Sequence, residues 1–352
     1  MIKRPLFRRE DFRLCEVPVP QGYPQSQTHS GIAFFKGDYY LTSSPYPNKH
    51  RTRWEMYYLI ALRKLSFGLL NYVKDGEIYE NPCLYRGVFF HKGDIPTKFE
   101  PIADNPLIKT PVSLNGLPAY NSDPDIYIEN GVFYILNRTL FRTKKLSAGG
   151  YESKTCISIL RGVLENGRFI INETKQVKEW NNPYTSPCLT RFNGKIVFCY
   201  MDSNSAIDSE TFNGLFLQIT DSVEDLTPDN KCFKKVKVNA GDMLPWHMSL
   251  FQTEGKLFTI IACVKRGDPT RKVWQMFGEF STDLSELTIY STPLTDFNSY
   301  RGSACVNDDG VFVLYSTTVW EKIKGSNSVD GRDIIVAHMP FTTLLNEIRN
   351  LR

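Results

Sequence analysis

The 352-residue sequence predicts an all-β fold, a five-bladed β-propeller with four-stranded blades and a short C-terminal helix. Short β-rich runs separated by Gly, Asn and Asp dominate the chain, helical periods are few, and one hairpin pattern recurs five times. With 41% hydrophobic and 23% charged residues, the composition is that of an ordinary globular protein and excludes disorder. We therefore expect a single domain over residues 1–352.

The repeated unit begins at a polar or small anchor residue, continues as an apolar strand and turns at a glycine. In four copies the anchor stands eight residues before the glycine, and in the fifth an extra turn residue shifts the register. The anchors are His29, Asp123, Ser186, His247 and Arg301. Further strand candidates between the hairpins complete a four-stranded blade for each copy.

The spacing between the first two anchors is the longest, which predicts an insertion at about residues 48–77 in the first blade. Near the C-terminus, apolar residues recur at helical spacing and predict the terminal helix. They are Leu344, Leu345, Ile348 and Leu351.

In a propeller the innermost strands line one central funnel, so residues that open these strands form a candidate site. The five anchors are therefore expected to converge. A rim is expected where second strands end and third strands begin, at Tyr46, Glu80, Asn81, Arg138, Glu152, Asp202, Lys265, Arg266 and Trp320.

Carboxylates in the funnel suggest acid/base chemistry. Asp123 and Asp125 stand two apart on one strand, which predicts that they project to the same side within about 7 Å of each other. That separation suits hydrolysis of a glycosidic bond. Glu80, just before Pro82, is a further acid at the funnel mouth. The alternatives are that one aspartate accepts hydrogen bonds from backbone amides of the neighbouring blade and that Glu80 is a solvated rim residue.

The pair Trp246-His247 offers an indole on which a sugar ring can stack and an imidazole that can exchange a proton. His29, His247 and Asp123 are also potential metal ligands. No HxH or HxxxH spacing supports a metal, so we expect no metal and no other cofactor. Ser186 lacks a GxSxG context, so a nucleophilic serine is not expected.

Three cations, Arg138, Lys265 and Arg301, are predicted around the funnel and favour an anionic substrate. The alternative is a structural network in which they pair with Asp123, Asp202 and Glu80.

The formal net charge of +4 is spread thinly, so a nucleic-acid partner is not expected. No window of 18 apolar residues predicts a membrane span, and no signal peptide is recognised, so we expect a cytoplasmic protein. The eight cysteines form no CxxC pair and are predicted to be reduced and buried.

Four motifs resemble the blade-opening motifs of the five-bladed propeller glycoside hydrolases, the superfamily that contains families 43, 32, 62 and 117. They are Asp123-Pro124-Asp125-Ile126, Ser186-Pro187-Cys188-Leu189, Trp246-His247-Met248 and Tyr300-Arg301-Gly302-Ser303. The resemblance covers Thr28 to Thr318. Four motifs resemble a poorly characterised branch of this superfamily. They are Ser44-Pro45-Tyr46-Pro47, Tyr79-Glu80-Asn81-Pro82-Cys83, Asp104-Asn105-Pro106-Leu107 and Tyr120-Asn121-Ser122-Asp123-Pro124-Asp125.

The resemblance to family 43 implies an Asp base in blade one, a positioning Asp in blade two and a Glu acid in blade three. Only Asp123 matches this pattern, because His29 and Ser186 stand where the other two carboxylates would be. A hydrolase must then use other carboxylates. The catalytic candidates are Asp123, Glu80, Asp125 and Asp202, with Glu152 on the rim. The candidates for substrate binding are His29, Tyr46, Asn121, Arg138, Ser186, Trp246, His247 and Arg301.

The sequence thus predicts a glycoside hydrolase that acts on a glycan bearing an acidic sugar by carboxylate catalysis in the funnel. Two other hypotheses stay open, a carbohydrate-binding propeller without catalysis and a uronic-acid lyase or epimerase. The expected partner in each case is a carbohydrate, and no oligomeric state is predicted.

Overall fold

The computed structural model describes residues 4–23, 26–46, 61, 65, 79–91, 93–112, 116–117, 119–145, 151–180, 184–203, 212–268, 272–318 and 332–350. Within them the chain is mostly β-strand and ends in one α-helix, so the predicted all-β class and terminal helix are confirmed. The predicted insertion at about 48–77 lies outside the described residues except for residues 61 and 65, and so does Trp320.

The strands and the helix follow one another along the chain with these bounds: β1 (Arg13–Leu14), β2 (Ser26–Phe35), β3 (Asp38–Tyr46), β4 (Cys83–Val88), β5 (Lys98–Pro101), β6 (Ala119–Glu129), β7 (Val132–Lys145), β8 (Tyr151–Glu165), β9 (Arg168–Trp180), β10 (Tyr184–Phe192), β11 (Lys195–Ser203), β12 (Phe212–Thr220), β13 (Lys234–Asn239), β14 (Met243–Thr253), β15 (Lys256–Lys265), β16 (Val273–Phe280), β17 (Glu286–Pro293), β18 (Ser299–Val306), β19 (Val311–Thr318), β20 (Ile334–Pro340) and α1 (Phe341–Asn350).

Consecutive antiparallel strands form five groups, which we call units one to five. Units one to four are β2 to β5, β6 to β9, β10 to β13 and β14 to β17, and unit five is β18 to β20 with β1 added at its outer edge. A short parallel pairing of β13 with β17 joins the edges of units three and four. The first strands pack against one another in a closed cycle, β2 on β6, β6 on β10, β10 on β14, β14 on β18 and β18 on β2.

Apolar side chains fill the seam between each pair of neighbouring units. In the seam between units one and two, for example, Tyr40 meets Phe133 edge to face with ring centroids 4.9 Å apart. Separate clusters occupy the seams of units two and three, three and four, four and five, and five and one. The inner strands of the units are therefore mostly buried, whereas outer strands such as β9 and β13 are largely polar and exposed.

The hairpins that the sequence predicts use the expected turn chemistry. Asn130 and Gly131, between β6 and β7, have φ values of 52° and 81°. A two-residue turn with both residues in the left-handed region matches the twist of paired strands, and Asn-Gly tolerates it best. At the C-terminus α1 buries Phe341, Leu344 and Ile348 against units four and five.

Among the described residues, no helix has the length and apolar character needed to cross a bilayer. All eight cysteines are free. Six are buried, as predicted, whereas Cys156 is half-buried and Cys232 is exposed.

Candidate functional site

The first strand of every unit carries a β-bulge, which contains the anchor residue in four units and directly precedes it in unit four. The register against the second strand shifts between Thr28 and Gly31, and at the equivalent position of each of the other four units. A bulge leaves a residue unpaired and re-aims its side chain. The anchors were predicted to open their strands, which is wrong: β2 begins three residues before His29, and β6 begins at Ala119.

Three of the bulged anchors have a backbone conformation that L-residues rarely adopt. The φ values of His29, Asp123 and Ser186 are 55°, 51° and 51°. Left-handed backbone costs a non-glycine residue about 1 kcal/mol or more and is found at functional sites. Here it turns three side chains towards the ring centre, where all three are buried.

His29 lies between two carboxylates. Its Nε2 donates a hydrogen bond to Glu80 Oε2 at 3.1 Å, and its Nδ1 is 3.0 Å from Asp123 Oδ1. The Ser122 hydroxyl donates to Glu80 Oε2 at 2.8 Å and lies 3.3 Å from Asp123 Oδ1. The two carboxylate oxygens are therefore at most about 6 Å apart, with the His29 ring and the Ser122 hydroxyl between them.

The Nδ1 atom of His29 makes no hydrogen bond of acceptable geometry, although Asp123 is close. A neutral imidazole carries one ring proton. When Nε2 donates to Glu80, Nδ1 directs its lone pair at the Asp123 carboxylate, and two lone pairs at 3.0 Å repel. Either a second proton on the ring or a cation between Nδ1 and Oδ1 removes this repulsion.

Asp123 is fully buried and ionised. Burial opposes its charge, but Arg138, His247, His29 and Arg301 outweigh burial and hold the pKa of the carboxyl well below its usual range. Its Oδ2 is 3.0 Å from Arg138 Nε and accepts a hydrogen bond from the Ser186 backbone N–H at 3.1 Å. The ion pair with Arg138 leaves Oδ1 facing the two imidazoles.

His247 completes the centre from unit four. Its Nδ1 is 2.7 Å from Ser186 Oγ and 3.7 Å from Asp123 Oδ1, and its Nε2 has no hydrogen-bond partner among the described residues. Burial lowers the pKa of His247 well below its ordinary value, so the ring is neutral. A neutral buried imidazole is an acceptor or a metal ligand.

One ligand atom from each of His29, Asp123 and His247 lies within 4.8 Å of the other two, and all three residues are buried. We call these residues the His-Asp-His centre. They come from β2, β6 and β14, three different units. We expected no metal because no two histidines stand close together in the sequence. In the structure, the ring brings together ligands that are far apart in the sequence.

Aromatic rings cover this centre. The Tyr300 ring centroid is 5.1 Å from that of His29, 5.0 Å from that of His247 and 4.9 Å from that of Trp246. Trp246 is half-buried and lies beside His247, as the sequence predicts for a stacking platform. Tyr300 was missed, although it precedes the anchor Arg301 as Trp246 precedes His247.

Asp125 does not act as a partner of Asp123. The bulge between Ser122 and Asp125 breaks the alternation on which that prediction relied. Asp125 is buried 4.0 Å from Arg301 Nη2 and bonds Ser249. Burial raises the pKa of Asp125 to about 7, against the opposing effect of Arg301. Arg301 is fully buried, so the pair lies inside the ring and not on an accessible wall.

Several other predicted site residues are used elsewhere. Asp202, at the end of β11, accepts a hydrogen bond from Asn213. Among the described residues, no hydrogen bond or ion pair joins it to the His-Asp-His centre. Glu152 is exposed and pairs with Lys144. The Asn121 amide donates to Asn81 Oδ1 and to the Lys109 carbonyl, and its oxygen accepts from two further side chains. Asn121 is thus a structural residue.

Tyr46 lies at the rim, as predicted, beneath an arginine that the sequence did not indicate. The Arg332 guanidinium is 3.9 Å from the Tyr46 ring centroid and 4.1 Å from that of Tyr300, and it donates to Thr28 Oγ1 at 3.1 Å. Arg332 and Thr28 are 304 residues apart. Their contact depends on ring closure, so no local pattern could have revealed it.

The three cations predicted to attract an anionic substrate each face a carboxylate of the protein. Arg138 pairs with Asp123, the Arg301 guanidinium is 4.0 Å from Asp125, and Lys265 Nζ is 3.5 Å from Asp242. These contacts agree better with the alternative hypothesis, in which the cations belong to a structural network. Of the three carboxylates expected in that network, only Asp123 is paired with one of these cations in the described part of the chain.

Comparisons with known proteins relate the chain to others by fold. Neither the protein-family models nor the curated proteins give a match. Among solved structures, an N-acetylgalactosamine deacetylase from F. plautii in complex with blood group B trisaccharide is similar, with a TM-score of 0.58, 14% identity, and coverage of 95% of this chain and 97% of that one. A GH43 β-xylosidase/α-arabinofuranosidase from a compost microbial metagenome has a TM-score of 0.56 and 11% identity, covering 93% and 94%.

A Bacillus subtilis arabinanase is also similar, with a TM-score of 0.51, 9% identity, and coverage of 92% of this chain and 97% of that one. At identities this low, the comparisons establish a shared fold and nothing more. The expectation of a propeller similar to those of the glycoside hydrolases is confirmed at the level of the fold.

Proposed function

We propose that this protein is a hydrolase that acts on a carbohydrate at the centre of a single, five-bladed ring. The closed cycle of five first strands supports the blade count. Trp246 and Tyr300 supply aromatic faces of the kind that stack on sugar rings. Structures similar in fold were determined with a trisaccharide and with xylotriose, which supports a carbohydrate as the substrate.

The reaction that the geometry supports best is metal-assisted hydrolysis of an acyl group, such as an N-acetyl or O-acetyl group, on the sugar. The His-Asp-His centre is the observation that carries this proposal. His29 and Ser186 stand where a family 43 mechanism would have its other two carboxylates, and catalytic zinc sites use three protein ligands and an open position. A deacetylase is also among the proteins of similar fold.

The spacing of the ligand atoms fits a small cation. With bonds of 2.0–2.1 Å, the ligand atoms of a tetrahedral site lie about 3.3 Å apart. The distances from Asp123 Oδ1 to His29 Nδ1 and to His247 Nδ1 are 3.0 and 3.7 Å. Two nitrogens and one oxygen favour zinc or another first-row metal over calcium, which takes six to eight oxygen ligands.

The surrounding residues hold the ligands in the required state. His29 donates through Nε2 to Glu80, the carboxylate partner that fixes a ligating histidine in metal sites. Ser186 Oγ is 2.7 Å from His247 Nδ1, the same nitrogen that faces Asp123, so this hydroxyl would lie next to a bound cation. The depressed pKa values of Asp123 and His247 keep the carboxylate charged and the imidazole neutral, the forms that bind metal.

A divalent cation held here would supply Lewis-acid polarisation of the scissile carbonyl and of the attacking water. Glu80 is placed to move the proton: Oε2 is held by His29 and Ser122, and no contact is described for Oε1. It would take a proton from the water as the oxygen adds to the acyl carbon, then give that proton to the departing amine or hydroxyl. The products are a carboxylic acid and the deacylated sugar.

Glycosidic hydrolysis by Glu80 and Asp123 is the second candidate, because one serine hydroxyl contacts both carboxylates. Their separation of at most about 6 Å is shorter than the 6.5–9.5 Å of inverting enzymes, so it leaves only the retaining mechanism. The His29 ring between them occupies the space where the sugar would lie. The geometry therefore favours deacylation.

Product analysis separates these functions. The protein, loaded with Zn²⁺ or Mn²⁺, is incubated with N-acetylhexosamine oligosaccharides and acetylated xylo-oligosaccharides. Free acetate, lost in EDTA and in the His247→Gln variant but retained in His338→Gln, is the expected result, since His338 is exposed on β20. New reducing ends without acetate would overturn deacylation in favour of glycosidic cleavage. An ultraviolet-absorbing product would indicate a lyase, and binding without reaction a carbohydrate-binding protein.

A further inference from the structure

A cavity of about 450 Å³ opens at the junction of units three and four. Its walls include Phe212, Met243, Leu244, Pro245 and Arg266. Phe212 opens β12, Met243 opens β14 and Arg266 follows β15, so the cavity lies at the ends of strands that reach the ring face carrying His247. Pro245 is two residues from His247 in sequence.

The apolar wall of this cavity continues to the indole at the centre. Phe212 and Trp246 pack against the same small cluster, which contains Leu244 and Val264. Trp246 in turn lies beside His247, with ring centroids 4.6 Å apart. Leu244 and Val264 are buried, so they connect the cavity wall to the half-buried indole from below, and Trp246 is the aromatic face that a chain of sugars running from the centre to the cavity would meet.

Arg266 gives the cavity a positive charge. Its guanidinium is exposed, and among the described residues no carboxylate forms an ion pair with it. Its backbone N–H donates to the Asp242 carbonyl at 2.9 Å, which holds the loop in place. The Asp242 side chain is 3.5 Å from Lys265 Nζ, so that acid is already paired with a cation.

We propose that this cavity binds a carboxylate-bearing sugar unit of the substrate and that Arg266 is its recognition residue. The inference rests on the proposed function, because it takes the unit that occupies the His-Asp-His centre as the neighbour of the acidic sugar. An arginine fork matches a carboxylate with two parallel hydrogen bonds. The apolar wall of Phe212 and Leu244 suits the ring of the same unit.

Binding without turnover tests the proposal. The probes are oligosaccharides that contain glucuronic or galacturonic acid, each paired with its carboxyl-reduced neutral form, and affinities are measured by calorimetry in EDTA. We expect the protein to bind at least one acidic probe about 10-fold more tightly than its neutral partner. Arg266→Ala should abolish that preference, and Arg266→Lys should restore only part of it, because lysine lacks the fork.

Arg168→Ala is the matched control, since Arg168 is an exposed arginine of unit two. It should keep the full preference. A protein that binds no acidic probe more tightly than its neutral form, or an Arg266→Ala variant that keeps the preference, overturns the inference. Because no reaction is needed for this readout, failure of the deacylation proposal leaves the result of this experiment intact, and the two failures can be told apart.

Discussion

Replacing His247 by glutamine tests the His-Asp-His centre directly. The substitution removes one of three ligands and keeps a polar side chain of similar size beside Ser186. Glutamine offers an amide where the imidazole offers a nitrogen lone pair, and amide oxygens are poor ligands for zinc. We expect the affinity for Zn²⁺ to fall at least about 100-fold, more than the 10- to 100-fold typical for loss of a supporting residue around the ligands.

The size of the effect on thermal stability follows from chain length and binding linkage. An ion at 100 times its dissociation constant adds about 2.7 kcal/mol to the free energy of unfolding. For 352 residues, an unfolding entropy of about 2.1 cal/mol/K per residue amounts to about 0.7 kcal/mol/K. The wild-type Tm should therefore rise by about 4 °C. At the same ion concentration the variant would gain only about 0.4 kcal/mol, or less than about 1 °C.

The assay is differential scanning fluorimetry with and without Zn²⁺ after EDTA treatment, alongside metal analysis of the dialysed protein. His338→Gln serves as the control, because it removes an exposed histidine outside the centre. The wild type and the control should hold one equivalent of metal. The interpretation is refuted if the wild type binds no metal, or if His247→Gln shows the same shift as the wild type.

Three further predictions concern individual contacts. Glu80→Gln keeps the shape of the side chain that supports His29 but removes its charge. The affinity for Zn²⁺, measured by calorimetry, should therefore fall about 10- to 100-fold. An unchanged affinity would exclude a supporting role for Glu80. Ser186→Ala leaves His247 Nδ1 buried without its partner at 2.7 Å. The free energy of unfolding, measured with urea, should fall by about 1–3 kcal/mol. An unshifted midpoint would show that this contact contributes nothing. Hydrogen bonds from Arg191, on β10, lower the pKa of Glu129, on β6, so this pair stabilises the fold above the ordinary carboxyl pKa, and the contribution is lost as pH falls through the lowered pKa. Glu129→Gln should be about 1 kcal/mol less stable at pH 7, a small value because the pair is partly exposed, and the deficit should shrink as pH falls below the ordinary carboxyl pKa; a deficit that does not shrink in acid would contradict the electrostatic explanation.

Much of the fold was predictable because it depends on local chemistry. The hairpin at Asn130-Gly131 needs two residues with left-handed backbone, and an Asn-Gly dipeptide predicts such a turn from sequence. The helix over Phe341–Asn350 is readable from the apolar spacing that buries Leu344 and Ile348. The anchors were likewise found by counting back from the hairpin glycines, since the hairpin fixes the register of the strand that precedes it.

The bulges were missed. A one-residue bulge changes which face every following side chain occupies, and in Ser122-Asp123-Pro124-Asp125 its local sign is Pro124, a residue that strands accept mainly at edges and bulges. For that reason Asp123 and Asp125 were expected to face one way, whereas they have different partners. The left-handed backbone at His29 and Asp123 was not predicted either, because the surrounding strands impose it.

The sequence by itself thus determined the class of fold, the repeated hairpins and the anchor positions, all of which follow from contacts between residues close in the chain. Only the tertiary structure decided what the anchors do. Closure of the ring brings His29, Asp123 and His247 within 4.8 Å of one another and pairs Arg138 with Asp123. These contacts span three units, and their electrostatics depend on burial. A cluster of carboxylates and cations in the sequence thereby becomes a candidate metal centre with its charges balanced inside the protein.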